Sequence, residues 1–252
     1  MTIEISVAWA LGLALAVTRA GALVALCALV PRAIPRVARG VLAIALGLLI
    51  AEPIGDSTIG AGELAIDAFT NLAIGAAVGW FLGLSVAAFQ IAGTLVDLGS
   101  GVTLGSVFDP DTGGNPGPFT RFYTVAIQAL VIAGGGLMLV TQVLWASTRA
   151  VALDGRLRGF GPLGPAAAEA FSQMFRFGVQ LALPVVALLF VAEVAFGLLS
   201  RLAPQINMFL IALPVKSLLA ISLVGTASVL FPRAADEVFR SGVDSVTKLI
   251  GG

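Results

Sequence analysis

The stretch IGAAVGWFLGLSVAAFQIAGTLVDL, residues 74–98, decides the fold class of this chain. No charged residue lies between Asp67 and Asp97, and about 20 apolar residues are enough for a helix to cross the hydrocarbon core of a bilayer. The stretch nevertheless contains polar side chains such as Gln90, so one side of the helix is expected to face protein or water. We therefore predict a long membrane helix over residues 64–98.

The composition agrees with a membrane protein and excludes several enzyme classes. Of the 252 residues, 58% are hydrophobic and only 11% are charged, whereas soluble domains have about 25% charged residues. Lys plus Arg and Asp plus Glu number 14 each, and a net charge of zero provides no electrostatic basis for nucleic-acid binding. The chain has no histidine and one cysteine, Cys27, which excludes Ser-His and Cys-His nucleophile pairs, histidine-based zinc motifs and intramolecular disulfides. We predict no catalytic residue, no cofactor and no metal site.

Charged residues, prolines and glycine clusters divide the chain into predicted helices. The expected fold class is all-α, with membrane-associated helical hairpins built from about six long apolar helices, several of them kinked. We expect one domain over residues 1–252. Its parts are opening helices at 5–51, a long hairpin at 64–148 with a loop at 99–118, a second hairpin at 166–230 and an amphipathic tail at 233–250. In the long hairpin, the glycine run at 134–136 predicts a kink.

The basic residues conflict with a simple alternation of membrane spans. A turn with Arg32, Arg36 and Arg39 is expected on the cytoplasmic side. Alternation from there places the basic loop at 149–165 on the opposite side, against the same rule. Either one apolar stretch does not cross the membrane, or the helices do not form a conventional bundle.

The loop at 99–118, GSGVTLGSVFDPDTGGNPGP, is the strongest local signal in the chain. Its glycines, prolines and aspartates are typical of a turn or loop. Val107 and Phe108 at its centre are bulky and apolar, which is unusual for a solvent-exposed loop. Two interpretations stay open, a functional element or an exposed hairpin turn in which Phe108 folds back onto the helices.

Three glycines, Gly75, Gly79 and Gly83, recur at every fourth residue of the 64–98 helix. One stripe of this helix therefore lacks side chains, and another backbone can approach it closely. The stripe predicts either a tight contact with another subunit or the packing of two helices within the chain.

Four ionisable residues, Arg19, Arg176, Glu193 and Lys216, lie inside apolar helices. An ionised side chain is costly in hydrocarbon unless it is paired or hydrated. The four residues indicate either a proton or ion relay or, more commonly, pairing at buried interfaces and snorkelling to the headgroups. We expect Lys216 to be a structural pin, bound to Glu193 or to the backbone carbonyl that Pro214 leaves without a helical donor.

Three segments of the chain carry a resemblance to a known family. They are the opening helix with its basic turn VPRAIPR at 30–36, the Gly-rich helix that leads to GSVFDP at 105–110, and APQINMF at 203–209 with PVK at 214–216. In this order and spacing they resemble the FliR family of flagellar type III export-gate proteins, whose counterpart in virulence injectisomes is the SctT family. The resemblance covers residues 9–232. The loop lacks the Glu-Ser-Ser-Pro-like continuation associated with injectisome members, which favours the flagellar branch.

The resemblance implies a non-enzymatic subunit of the flagellar export gate, multi-pass in the bacterial cytoplasmic (inner) membrane at the flagellar basal body. It implies that FliP and FliQ, with FlhB and FlhA nearby, are partners in a channel for unfolded flagellar subunits. It also implies that the loop at 107–118 plugs the closed channel, with the residues Val107, Phe108, Asp109, Pro110, Gly113 and Gly114. The residues that it assigns to subunit packing are Gly75, Gly79, Gly83, Gln90, Pro204, Gln205, Asn207, Phe209 and Lys216.

Two other functions stay open. One is a subunit of an injectisome export gate, and the other is a secondary transporter that uses Arg19, Glu193 and Lys216 for coupling. Transporters commonly contain internal repeats with discontinuous helices, and the two halves of this chain show no convincing duplication. The export-gate function is therefore favoured.

Overall fold

The computed structural model of the protein describes residues 7–31, 34–54, 60–103, 116–155 and 163–251, and this part of the chain is α-helical without a β-strand. The predicted all-α fold class is confirmed. The helices are α1 Val7–Leu26, α2 Arg36–Ile50, α3 Ala61–Ser100, α4 Pro118–Ala133, α5 Gly136–Ala150, α6 Leu163–Leu202, α7 Met208–Ala227 and α8 Phe231–Gly251, with a 3-10 turn at Ser228–Leu230.

The length of the helices determines which of them can cross a membrane. Among the described residues, four spans are long and apolar enough, and the bent pair α4 and α5 makes a fifth if it is counted as one span. The four spans are Val7–Leu26, Gly62–Ser100, Gly164–Leu202 and Met208–Lys248. With 15 residues, α2 is about 22 Å long and too short for the hydrocarbon core.

The kink predicted in the glycine run at 134–136 is confirmed as a break between α4 and α5, which are bent by 75°. Gly135 adopts a φ of 78°, in the left-handed region that residues with a Cβ atom disfavour. Its N–H donates to the carbonyl of Ile132 at 3.3 Å, which ends α4 in a tight turn.

The junction between α7 and α8 differs from the expected boundary at 230–233. The 3-10 turn Ser228–Leu230 leads directly into α8, and Pro232 lies in the first turn of that helix. Proline is tolerated there because the first N–H groups of a helix have no partner within it. The apolar side of the tail helix is buried, including Phe231, Val238 and Val246.

The chain divides into two compact units. Unit 1 comprises Met1–Ser85, Val131–Ser172 and Phe239–Gly252, and unit 2 comprises Val86–Leu130 and Gln173–Val238. The single domain expected over residues 1–252 stays a prediction. The core of unit 1 includes the fully buried Leu23, Val78, Leu82 and Leu144.

An aromatic cluster marks the core of unit 2. The ring of Phe231 lies 4.7 Å from that of Tyr123 and 5.8 Å from that of Phe89, measured between centroids. Such tilted and edge-on arrangements are the favoured ones for aromatic pairs. The cluster packs α3, α4 and α8 together within this unit.

Candidate functional site

The residues predicted to plug a channel, Val107, Phe108, Asp109, Pro110, Gly113 and Gly114, lie outside the described residues. Their role stays a prediction. The two ends of the connection that contains them are described, at residues 101–103 after α3 and at 116–117 before α4. These two ends form the base of the connection.

The α3 end of this base is closed by a glycine turn. Gly101 follows the last helical residue, Ser100, with a φ of 77°. Its N–H donates to the carbonyl of Leu98 at 3.2 Å, and the hydroxyl of Ser100 donates to the carbonyl of Asp97 at 3.0 Å. A glycine in this conformation is a common C-terminal stop of a helix.

The α4 end begins at a residue without a side chain. The carbonyl of Gly117 accepts the N–H of Arg121 at 3.0 Å, so Gly117 is the N-cap residue and Pro118 is the first helical residue. Proline is favoured at that position because it has no N–H to satisfy. The next two N–H groups, of Phe119 and Thr120, need an acceptor from elsewhere.

Asp97 of α3 provides this acceptor. Its Oδ1 accepts the N–H of Phe119 at 3.0 Å, and its Oδ2 accepts both the N–H of Thr120 at 2.9 Å and the Thr120 hydroxyl at 2.6 Å. Asp97 is only 1% exposed, so these three bonds replace the water that the carboxylate has lost. We name this arrangement of Asp97, Gly117 and Thr120 the Asp97 clamp.

No sequence motif assigns a role to Asp97. A signal was present, because Asp97 is the charge that ends the long uncharged stretch of α3, and GPFT at 117–120 is a helix start without a capping side chain. Asp97 lies 22 residues before Phe119 and 23 residues before Thr120, and no local sequence motif connects residues so far apart.

Lys216 and Glu193 form an ion pair between α7 and α6. The structure thus pairs Lys216 with one of the two partners that the sequence suggested. The Lys216 side chain is 12% exposed and that of Glu193 is 63% exposed, so the ammonium is largely enclosed and the carboxylate is open. Arg176, the other charge expected in this region, is exposed. The role of Lys216 in subunit packing stays a prediction.

The glycine stripe of α3 lies against α1 of the same chain. A Cβ atom built on Gly75 meets the carbonyl of Arg19, and one on Gly79 comes within 2.6 Å of the carbonyl of Leu23. One on Gly83 has ordinary contacts, the nearest at 3.4 Å. The stripe therefore packs against another helix of the same chain, one of the two predicted alternatives, and the contact of these glycines with another subunit stays a prediction.

The other residues predicted to pack against subunits are accessible in this chain. The turn between α6 and α7 is exposed at Pro204, Gln205 and Asn207, and so is Phe209 at the start of α7. Gln90 of α3 is half-buried. Partner contacts at these residues stay predictions.

Arg19 of α1 is the centre of a buried polar network in unit 1. The side chain is fully buried. Its Nε donates to Oδ1 of Asn71 at 2.9 Å, and Nη2 donates to the carbonyls of Val151 at 2.9 Å and Ala152 at 3.4 Å. A longer bond of 3.4 Å reaches the hydroxyl of Ser147. All the acceptors are neutral, so the network has the form of a structural hub rather than of a proton relay.

Asn71 extends this network along α3. Its Nδ2 donates to the carbonyls of Asp67 at 2.7 Å and Leu153 at 2.9 Å. The side of α3 that was expected to face protein or water therefore faces protein at Asn71, which is fully buried.

The described residues contain no cluster of metal-ligating side chains, since no three His, Cys, Asp or Glu residues come together there. What they contain is a set of long apolar helices that provide four spans able to cross a membrane, or five if the bent pair α4 and α5 counts as one. These features define a multi-pass membrane protein built from kinked helical hairpins.

The sequence matches the family described as bacterial export proteins, family 1, over residues 10–242. The chain therefore belongs to this family, and the resemblance to the FliR and SctT proteins is confirmed. It is 30% identical over 187 residues to the flagellar biosynthetic protein FliR of Bacillus subtilis (strain 168), covering 73% of this chain and 71% of that protein.

Further relatives are named for flagellar biosynthesis and for the surface presentation of antigens. The chain is 27% identical over 183 residues to FliR of Pectobacterium carotovorum subsp. carotovorum, covering 71% of this chain and 69% of the relative. It is also 28% identical over 163 residues to the surface presentation of antigens protein SpaR of Shigella flexneri, covering 62% of this chain and 60% of that protein.

Proposed function

We propose that this protein is a non-enzymatic subunit of the flagellar type III export gate, located in the bacterial cytoplasmic membrane at the flagellar basal body. With FliP and FliQ, and with FlhB and FlhA nearby, it forms the channel through which unfolded flagellar subunits leave the cell. The observation that carries the proposal is the match of residues 10–242 to the bacterial export family, together with its FliR relatives.

The surface of the second half of the chain supports a role inside a larger assembly. In the most apolar part of each span, 56% of residues are buried within the chain in α3, but only 17% in α6 and 11% in the span Met208–Lys248. Lipid would cover apolar side chains such as Phe190 and Leu218, which are both 66% exposed. Glu193 is 63% exposed on the same helix as Phe190, and a carboxylate in lipid is costly. A surface that carries both apolar side chains and a carboxylate is more favourable against protein subunits or a water-filled channel than against lipid.

We infer that the connection at 107–118 plugs the closed channel. Val107 and Phe108 supply apolar bulk, as a seal against small ions requires. The Asp97 clamp supports this role because it holds the described ends of the connection, at α3 and α4, at one place.

The assembly is tested by co-expression with FliP and FliQ and native mass spectrometry of the purified complex. We expect this chain in a complex with several copies of both partners. A secondary transporter would instead be released as a monomer or homo-oligomer, and that result would overturn the export-gate proposal.

The flagellar role is tested in the source bacterium after removal of the gene. We expect loss of swimming motility, restored by the intact gene and not by a copy that is truncated after residue 207. Normal motility combined with loss of effector secretion would assign the protein to an injectisome instead.

The plug is tested by deleting residues 107–114, which removes Val107 and Phe108 and leaves the Asp97 clamp untouched. The purified complex of this variant should assemble in normal yield, and entrapped potassium should leave liposomes that contain it faster than with the wild type. Equal potassium efflux with equal yield would show that this segment does not seal the channel.

A further inference from the structure

The Asp97 clamp links the end of α3 to the start of α4 at the base of the proposed plug. We propose that Asp97 is a positioning residue of the closed channel, because its carboxylate fixes the point at which the connection between these helices begins and ends. The inference rests on the proposed plug function of that connection. It assigns a role to a residue that does not itself line the seal.

The capping bond has a remote origin. In most helices the capping side chain belongs to the residue that directly precedes the helix and accepts the N–H of the second or third helical residue. In α4 that residue is Gly117, and the capping oxygens come from Asp97, 22 and 23 residues before the donors Phe119 and Thr120.

The structure reserves space for this contact on both helices. A Cβ atom built on Gly117 meets the carboxylate of Asp97, and one built on Gly93 meets the backbone of Thr120, with its amide nitrogen at 2.8 Å. The hydroxyls of Thr94 and Thr120 also lie 3.2 Å apart. The two helices can therefore meet only because each has a glycine at the point of contact.

A remote cap does more than a local one. A serine or aspartate at position 117 would satisfy the same N–H groups and the positive end of the helix dipole. Asp97 satisfies them and also holds the start of α4 against the end of α3. Loss of the carboxylate should thus release the base of the connection even where α4 stays folded.

The first test uses single variants in the complete complex with its partners. Asp97→Asn keeps the size of the side chain but places an amide group against N–H donors, and Thr120→Val removes the 2.6 Å bond. We expect both variants to assemble normally. Potassium efflux should rise about fivefold for Asp97→Asn, which is the population ratio that corresponds to the typical free energy of one helix cap. The rise should be smaller for Thr120→Val. Thr120→Ser keeps the hydroxyl that bonds Asp97, and Thr124→Val removes a hydroxyl that bonds within its own helix, at the carbonyl of Thr120, so both should match the wild type.

The second test separates positioning from helix capping. Asp97→Ala combined with Gly117→Ser supplies α4 with a local cap but does not tie it to α3. We expect this double variant to leak as much as Asp97→Ala alone while its yield recovers. A double variant that seals as well as the wild type would overturn the inference, since capping alone would then explain the role of Asp97.

The deletion of residues 107–114 keeps the two proposals distinguishable. If the deletion leaks and neither Asp97→Asn nor Thr120→Val does, the plug stands and the positioning role of Asp97 is overturned. If the deletion does not leak, the plug and the inference that rests on it are both overturned. Leakage in the deletion and in the clamp variants, with wild-type behaviour of Thr124→Val, supports both.

Discussion

Lys216 on α7 and Glu193 on α6 form an ion pair between two otherwise apolar stretches of helix. The ammonium is the more enclosed partner, at 12% exposure against 63% for the carboxylate. A charge enclosed in an apolar setting is tolerated only while its partner is in place. The pair therefore joins α6 and α7 within unit 2.

Lys216→Met is expected to lower the yield of the export-gate complex, because it leaves Glu193 without its cation on an apolar surface. Lys216→Arg should keep most of the yield, since the charge and its partner stay in place. The measurement is the amount of complex recovered from membranes at equal expression.

The double variant Lys216→Met, Glu193→Gln provides the control for this pair. Removing both charges should restore part of the yield that either single change loses, because a lone ion costs more than a neutral pair. Full yield of Lys216→Met with export abolished would instead assign Lys216 a direct part in transport.

The helices could be predicted from the sequence because their ends coincide with local signals. The predicted helix at 64–98 is α3 at Ala61–Ser100, and the predicted break at 134–136 lies between α4 and α5. Glu193 was also among the suggested partners of Lys216, because both are isolated charges in consecutive apolar helices. These inferences need only the order of residues along the chain.

The remote contacts could not be predicted in the same way. Asn71 and Val151 lie 52 and 132 residues from Arg19, and Asp97 lies 23 residues from Thr120. Periodicity identifies the face of a helix but not which helix packs against it. For the same reason the glycine stripe left two alternatives open, a partner helix in another subunit or in the same chain. In the structure the stripe packs against α1.

The glycine stripe predicts a graded series of alanine variants. Gly75→Ala forces its Cβ onto the carbonyl of Arg19, and Gly79→Ala brings its Cβ within 2.6 Å of that of Leu23, whereas Gly83→Ala has 3.4 Å. Overpacking typically costs about 1–3 kcal/mol, so thermal stability in detergent should fall for Gly75 and Gly79 and not for Gly83.

Gly40→Ala in α2 is the matched control for this series, because nothing lies within 4 Å of its added Cβ. It should keep or raise the melting temperature, since alanine favours a helix over glycine by about 1 kcal/mol. Equal stability of Gly75→Ala and Gly40→Ala would contradict the close approach of α1 and α3.

Cys27 is expected to be unreactive at neutral pH. Burial raises the pKa of its thiol from 9.0 to about 11, which lowers the reactive thiolate fraction about a hundredfold. Labelling with a maleimide in native membranes at pH 7.4 should therefore be far slower than after denaturation in detergent. Rapid labelling in the native state would show that the site is open to water.

The same pKa shift of Cys27 predicts how stability depends on pH. The folded state retains the thiol proton more tightly than the unfolded state does, so the free energy of unfolding is unaffected below pH 9.0 and decreases as the pH rises towards about 11. Cys27→Ser should remove this decrease, measured by melting temperature across the alkaline range.

The guanidinium of Arg19 donates hydrogen bonds to Asn71 and to the carbonyls that follow α5. Arg19→Met fills the space but leaves these buried neutral acceptors without donors, and one such unsatisfied group typically costs about 1–3 kcal/mol. Arg19→Lys should lower the melting temperature nearly as much, because one ammonium cannot reach all the acceptors that the planar guanidinium of Arg19 binds on its different edges. The neighbouring Thr18→Val is the control, since the Thr18 hydroxyl bonds its own helix at Ala14. Melting of Arg19→Met at the temperature of this control would contradict the assignment of Arg19 as the hub that joins α1 to α3.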